Sequence, residues 1–453
     1  VFIPRVGFNV ILNPDKEPVN GFTVNHFLSG TSIEYTGMQK KLLVTLACGI
    51  GICTAVHAQT GLTLQQAVQA ARSNNPFLKP AALDISMAQS DVITAGLRPN
   101  PSLNNQTLQL LNAKNFAPNT KYYEPQNRQV WWQVTKPFQL SGQRKYSQEV
   151  ANKNVTVAEK RYADAERDVL LDAGNKWLDV WYHSMNLTLL QEAKSNIDSL
   201  VKTQELRLKN QVISSNELIR TQLLSEQYQL QLKTAQQNYR NELQNLQLVT
   251  GTTAASGIDT ADAVTYIAVN QQVDSLIRLS FNQRPDVQGA QAGIEAAQSN
   301  IKLQHALSKP VPELGLIYNP QNTVKYFGFF GTIDLPFYSR NQGEVKKSKI
   351  ALQQTQQTLT ALQQQVSTEV QTTYQSWQLS RENVTHYAAI LGKATQVLSS
   401  VKYAYTRGGT TIIDFLDAQR TWFDTQKMYY DAVYEYRKNY LQLLHVTGLI
   451  TQL

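Results

Sequence analysis

Asp417, Asp424 and Asp431 recur every seven residues towards the C-terminal end of the chain. Seven residues are close to two helical turns, so the three carboxylates stand nearly in line along one helix. In a narrow passage such a line concentrates cations, which is the chemistry of gating and selectivity rather than of bond making. Asp417 and Asp424 are the candidate gate. The competing reading is a solvated helix face on which Arg420 pairs with Asp424 at i, i+4. No set of residues has the spacing of a reaction centre. His183, His305, His386 and His445 lack ligand spacing. Met87, Met185 and Met428 form no soft-metal relay, and no phosphate loop or nucleophile elbow occurs. The expectation is a non-enzyme without cofactor or metal, whose work draws on a partner's energy.

Composition narrows the class further. Of 453 residues, 42% are hydrophobic but only 17% are charged, against roughly 25% in ordinary soluble domains. Uncharged polar residues fill the gap, and glutamine alone is roughly one residue in nine against a far lower average usage. Two cysteines exclude a disulfide scaffold and a Cys-rich zinc site. The net charge is +8, yet Lys and Arg are scattered without a basic run interleaved with aromatics, so no nucleic-acid partner is expected. No apolar stretch reaches the roughly 18 residues of a transmembrane helix. Met38-Gln39-Lys40-Lys41, the apolar and small-residue run Leu42–Val56, and Val56-His57-Ala58 read as a secretory signal cut before Gln59. Residues 1–37 then read as an upstream extension, with translation starting at Met38. Cys48 and Cys53 fall inside this signal. Lipidation of Cys48, after Thr45-Leu46-Ala47, competes there with the reading of a small apolar residue in the signal core.

These residues need elements to position them, and proline marks those elements out. No proline lies between Pro137 and Pro285 or after Pro336. Both Pro-free blocks are rich in Ala, Leu, Gln, Lys and Glu, which favour helix. The chain also repeats itself. Asn75-Pro76 matches Arg284-Pro285, and Pro99-Asn100-Pro101 matches Pro310-Val311-Pro312. Pro137-Phe138 matches Pro336-Phe337, and Val249-Thr250-Gly251 matches Val446-Thr447-Gly448. The expected plan is a first repeat at 59–251, a linker at 252–270 and a second repeat at 271–453.

Each repeat predicts a short helix pair, two strands, a very long helix, a tight turn and a return helix. The short pairs are Leu64–Ser73 with Ala81–Leu97, and Val273–Phe281 with Val287–Leu307. The first strand, around Leu103–Leu111, alternates poorly. The others alternate with aromatics: Val130, Trp132 and Val134; Leu314, Leu316 and Tyr318; Phe327, Phe329, Gly331 and Ile333. Trp132 and Phe329 lie on the apolar parity and are the candidate membrane belt. The long helices are Gln143–Lys209 and Gln342–Tyr405, and the returns are Asn216–Val249 and Ile413–His445. Phe415, Trp422, Tyr429, Tyr436 and Leu443, every seven residues beside Ala418, Thr425, Ala432 and Asn439, predict a coiled-coil seam. Four strands cannot close a barrel alone, so membranous strands require a barrel shared between chains.

Taken together, the motifs resemble the TolC family of outer membrane efflux proteins over essentially all of 59–453. The resemblance is carried by Leu62-Thr63-Leu64-Gln65-Gln66-Ala67 before Asn75-Pro76, and by Arg284-Pro285-Asp286-Val287. Leu335-Pro336-Phe337 before Asn341-Gln342-Gly343, and Gly408 followed by Asp414-Phe415-Leu416-Asp417-Ala418-Gln419, add to it. Arg98-Pro99-Asn100-Pro101 is similar to the cation-efflux branch served by RND-type pumps. It implies a mainly α fold with a small β part. Tandem long helical hairpins would form an α-barrel, and four strands per chain would enter a 12-stranded transmembrane β-barrel shared by a homotrimer. It implies an outer membrane location with a long periplasmic helical part. The implied function is a passive conduit for metal cations or drugs, with a periplasmic adaptor (membrane fusion protein), an inner-membrane RND-type pump and outer membrane lipid as partners. The hairpin tips that would meet the adaptor are Gln211, Ser214 and Ser215, and Gly408, Gly409 and Thr410; the first lacks the family's usual glycine. The alternative is a periplasmic coiled-coil tether or adaptor without a pore.

Overall fold

The computed structural model describes residues 61–252, 257–262, 264, 267–269, 272–321 and 324–453, all within one compact unit, Gln59–Leu453. The expected signal segment with Cys48, and several residues of the 252–270 linker, lie outside the described residues. The elements in order are α1 (Leu64–Asn74), α2 (Leu78–Gly96), β1 (Ser102–Gln109), β2 (Arg128–Pro137), α3 (Gln143–Lys209) and α4 (Ser215–Thr250). The second half follows with α5 (Val273–Gln283), α6 (Pro285–Leu307), β3 (Glu313–Gln321), β4 (Val324–Thr332), α7 (Gln342–Thr406) and α8 (Ile412–Thr447). The 67 residues of α3 make a rod on the order of 100 Å long.

Several boundaries move by a few residues for local reasons. Helix α2 starts at Leu78 rather than Ala81, because the Asn75 side chain accepts hydrogen bonds from the Phe77 and Leu78 amides. Helix α6 starts at Pro285, a favoured first helical residue that needs no amide donor. Ser215 belongs to α4, since Ser214 takes the N-cap and forms a capping box with Glu217. Strand β1 ends at Gln109, before Leu110 and Leu111.

The duplication extends to individual hydrogen bonds. At the first tip Gln211 adopts φ +57° and the Val212 amide bonds the Arg207 carbonyl at 2.9 Å. At the second, Gly408 adopts φ +77° and the Gly409 amide bonds the Ala404 carbonyl, also at 2.9 Å. Helices α4 and α8 end on left-handed Gly251 and Gly448. At those ends Asn75 Nδ2 donates to the Val249 carbonyl at 2.7 Å, and Arg284 Nη1 donates to the Val446 carbonyl at 3.3 Å. These are the very residues matched by the sequence repeat. Each bond splices a return helix to the start of a short one, so α4 with α2, and α8 with α6, run alongside the unbroken α3 and α7. A side chain at Gly251 would bring Cβ to 2.4 Å from the Asn74 carbonyl oxygen, so the splice requires glycine.

Helix α3 packs on α2 and α6 in the half next to the sheet, and on α4 and α8 in the other; α7 packs on α6 and then α8. The core sits at the splices, where Trp177, Leu178, Trp181, Val366, Val370, Leu441 and Leu444 are buried. Helices α3 and α8 approach closely there: a Cβ on Gly174 would lie 2.8 Å from Leu441 Cδ1. Trp177 Nε1 donates to the Leu62 carbonyl at 2.7 Å, pinning the segment before α1 to α3.

A buried ion cluster ties the four helices together. Arg284, 4% exposed, bonds Asp286 at 2.6 and 3.1 Å and Glu369 at 2.7 Å. Arg167, also 4% exposed, lies 2.8 Å from Asp164 and 3.8 Å from Asp286, while His445 lies 2.8 Å from Asp168. Burial pushes the Asp286 and Glu369 carboxyls upward, but the hydrogen bonds and charge of Arg284 outweigh it and hold both low. The His445 hydrogen bond lowers Asp168. Burial raises Asp164.

Two outcomes are expected. Gln211→Gly removes a left-handed non-glycine residue and Gly408→Ala creates one, a difference of about 1 kcal/mol each. Hydrogen exchange at the two tips is therefore expected to slow roughly fivefold in the first variant and to quicken by a similar factor in the second. For the ion cluster, the lowered carboxyls contribute stability that is present above the ordinary pKa near 4 and is lost as pH falls through their folded values. Asp164 has the opposite sign and loses stability as pH rises past about 4, against three lowered groups. Arg284→Met is expected to flatten the acid limb of stability in circular-dichroism unfolding as pH falls below about 4. At neutral pH it is expected to cost about 3–5 kcal/mol, by stranding two carboxylates.

Candidate channel wall and entrance

The four strands form one antiparallel sheet in the order β1-β2-β3-β4. Its middle seam joins the two repeats, with Trp132 opposite Tyr318 and Val134 opposite Leu316. Directly opposed residues share a face of a sheet. One face therefore carries Leu103, Val130, Trp132, Val134, Leu314, Leu316, Tyr318, Phe327 and Phe329, with Asn105, Thr107 and Lys136 among them. The other carries Ser102, Asn104, Gln106, Gln129, Gln133, Thr135 and Asn319, with Trp131, Ile317 and Phe330 among them. Phe330 on that face fills the space above Gly315, where a Cβ would lie 2.3 Å from the ring. Both candidate belt residues are on the apolar face, Trp132 44% and Phe329 81% exposed. Strands β1 and β4 are edges, and eight to ten residues per strand suit the hydrocarbon thickness of a bilayer once tilted.

At the opposite end the two hairpin tips come together. Gln204 Nε2 of α3 donates to the Tyr405 hydroxyl of α7 at 3.0 Å, and the Arg207 guanidinium lies over the Tyr405 ring at 5.1 Å. Tyr405 stacks on Phe415 of α8 with rings 5.3 Å apart and 3° from parallel. Gln211, Ser214, Ser215, Gly408 and Gly409 lie in or next to these turns. Thr410 Oγ1 donates to Asp414 at 2.7 Å, and Thr411 with Asp414 forms the capping box of α8. The first tip reaches its left-handed turn through Gln211 instead of glycine.

The three aspartates of α8 have different surroundings. Asp417 is exposed, and no ion pair involves it among the described residues. Asp424 is exposed and 3.8 Å from Arg420, a pair worth little in water. Asp431 is half-buried and accepts a 2.6 Å hydrogen bond from the Tyr182 hydroxyl of α3. Its counterpart is Asp179 of α3, which accepts at 2.6 Å from Tyr434 of α8. The two tyrosine rings are 5.0 Å apart, so the four residues form a reciprocal clasp between the repeats. Burial, then the Asp431 hydrogen bond, pushes Tyr182 up to about 12. Burial and Asp179 push Tyr434 upward too. Sequence spacing alone set Asp431 in the acidic line; only the antiparallel register, 179 with 434 and 182 with 431, reveals the clasp.

Roughly half a turn around α8 from Asp417 and Asp424, a groove of 470 Å³ runs between α3 and α7. Phe415, Gln419 and Trp422 floor it, Arg207 and Lys402 flank it, and Trp422 Nε1 donates to Thr395 Oγ1 at 3.1 Å. No group of three or more metal-ligating side chains is gathered among the described residues.

A small antiparallel sheet open at both edges, continued by spliced helical hairpins, is a fold this chain shares with solved outer membrane channels. Residues 276–449, from α5 to the end of α8, match the outer membrane efflux protein family. The first repeat has the same order of elements. No curated protein matches the chain. Among solved structures, CusC, described in terms of folding and transmembrane channel formation, superposes with a TM-score of 0.70 at 18% identity, covering 88% of this chain and 95% of its own. The Campylobacter jejuni CmeC outer membrane channel gives 0.68 at 15% identity, covering 85% of each chain. The open state of the Neisseria gonorrhoeae MtrE outer membrane channel gives 0.69 at 15%, covering 86% of this chain and 90% of its own.

Placing the apolar face against lipid would have a measurable consequence. Phe329→Arg is expected to cost about 2–4 kcal/mol of membrane stability, whereas Gln133→Arg on the other face is expected to change it little. Urea-driven extraction of the folded protein from lipid vesicles measures both.

Proposed function

We propose that the chain is one subunit of a trimeric outer membrane channel. It passively conducts metal cations or drugs delivered by a periplasmic adaptor and an inner-membrane pump. The observation that carries this reading is the sheet with one apolar face and two unpaired edges. In a bilayer every strand edge must find a partner, and four strands are too few to close. Pairing β4 of one chain with β1 of the next closes the sheet, and three chains give twelve strands. The helices support the same ring. Helix α2 leaves Leu83, Met87 and Ile93 exposed, α4 leaves Ile219, Leu223 and Leu230 exposed, and α7 leaves Ile350, Ile390 and Val397 exposed. These apolar flanks lie on opposite sides of the subunit, which suits head-to-tail closure rather than a two-fold pair. A tether without a pore would leave Leu314, Phe327 and Phe329 in water for no return.

Helix α8 divides the entrance in two. Asp417, with Asp424 behind it, faces the pore as the gate, and three copies make a ring of carboxylates that favours cations. The groove of Phe415, Gln419 and Trp422 then faces outward beside the tips, where Arg207 and Lys402 receive an acidic or polar helical hairpin of the adaptor. The energy and the choice of substrate belong to the pump.

Reconstitution in planar bilayers tests the reading: the wild-type chain is expected to give discrete conductance steps and to run as a heat-sensitive trimer on gels. Asp417→Asn is expected to lower cation-over-anion permeability at least twofold at low salt, where charge is least screened. Unchanged selectivity would remove Asp417 from the gate, and absence of any conductance would overturn the channel itself.

A further inference from the structure

The fold gathers the positive charge that is scattered in the sequence. Two segments join the sheet to the long helices, residues 136–145 and 334–349. They hold seven Lys and Arg against two carboxylates, Asp334 and Glu344, a net +5 out of the chain's +8. Most of these cations sit in the first two turns of α3 and α7, where the positive end of the helix dipole disfavours them. Helix stability therefore does not account for them, and an anion beside them would. The same segments expose apolar side chains: Leu140 is 74% exposed, Phe337 69% and Tyr338 95%. A cleft of 620 Å³, lined among others by Lys309, Ser308, Ser339 and Leu335, opens between the start of β3 and the start of α7. Cations and apolar wedges thus alternate where the apolar face of the sheet ends, once in each repeat.

We propose that this collar binds anionic phospholipid of the leaflet nearest the helices. Lys145, Arg340 and Lys346 meet the phosphates, and Leu140, Phe337 and Tyr338 enter the upper acyl region. The inference rests on reading the sheet as part of a membrane barrel. Its ligand is fixed by charge complementarity and by continuity with the lipid-facing side of the sheet. Like other juxtamembrane basic groups, each cation contributes about fivefold to affinity for an anionic surface.

The test uses the full chain as a detergent-solubilised trimer, titrated separately with phosphatidylglycerol and phosphatidylcholine and followed by native mass spectrometry. The wild type is expected to bind phosphatidylglycerol at least tenfold more tightly. The triple variant Lys145→Gln/Arg340→Gln/Lys346→Gln is expected to lose that preference while still assembling. Equal binding of the two lipids by the wild type, or an undiminished preference in the variant, would overturn the proposal. The apolar half is tested at Tyr338→Cys in the chain from residue 59 on, where it is a unique labelling site because residues 59–453 contain no other cysteine. A fluorophore there is expected to be quenched by brominated phosphatidylglycerol in vesicles; no quenching means that a second copy of the chain covers the position, and the proposal fails. Planar-bilayer conductance separates the two levels. A conducting channel indifferent to headgroup charge overturns the collar alone, whereas no conductance in any lipid overturns the barrel reading and the collar with it.

Discussion

Unpaired strand edges cannot be left in hydrocarbon, and the rest of the structure follows from that constraint. Every backbone N–H and C=O in a bilayer needs a partner within the protein. A chain with four strands must therefore share its sheet with its neighbours. Once the sheet closes into a ring, the helices that continue it must form a ring as well. Each then has two flanks to bury against other helices, one side towards water inside and one towards water outside. A helix wet on two sides needs polarity without a strong field, and a chain with 17% charged residues and abundant glutamine meets that need. On the channel reading proposed above, the exposed apolar flanks of α2, α4 and α7 are the sides that would meet a neighbouring chain.

The ring also explains the break in half of the helices. A continuous wall needs rods of equal length, but each return helix stops partway from the tip, and the short helix that leads into the strands of its own repeat takes over from it. The molecule keeps α3 and α7 whole and builds the other two rods from pieces. The junctions are costly places, because helix ends leave donors and acceptors without partners. The two repeats solve this with different chemistry at the same position. Asn75 uses its amide to join the ends of α4 and α2, while Arg284 uses a guanidinium and draws Asp286 and Glu369 around it. The second solution brings buried charge to the centre of the subunit. That makes the four-helix contact specific, and sensitive to acid.

Much of this was legible in the sequence because it depends on periodicity and punctuation. Proline spacing and the internal repeat located the helices within a few residues, and the first long helix at both ends. Alternation placed Trp132 and Phe329 on the same face before their register was known. Strand β1 read poorly because its polar residues fall on both faces, and its partner β2 decides its position. The splices, the Tyr–Asp clasp and the Gln204–Tyr405 link could not be read, since each joins residues some 160 to 255 positions apart. The left-handed turn at Gln211 was hidden for another reason: glycine signals such a turn, and glutamine does not.

The acidic line on α8 shows where a sequence pattern stops being a structural one. Seven residues fall short of two full turns, so a heptad line on a straight helix drifts by about 20° each time it repeats. From Asp417 to Asp431 the drift is about 40°, and its sense carries the carboxylate away from α7 and towards α3. There Tyr182 captures Asp431, and Tyr434 returns the bond to Asp179. Asp417, two heptads nearer the tip, stays clear of that contact. The same spacing that suggests three acidic rungs thus leaves the exposed charge at the tip and turns the innermost aspartate into a strut between the repeats.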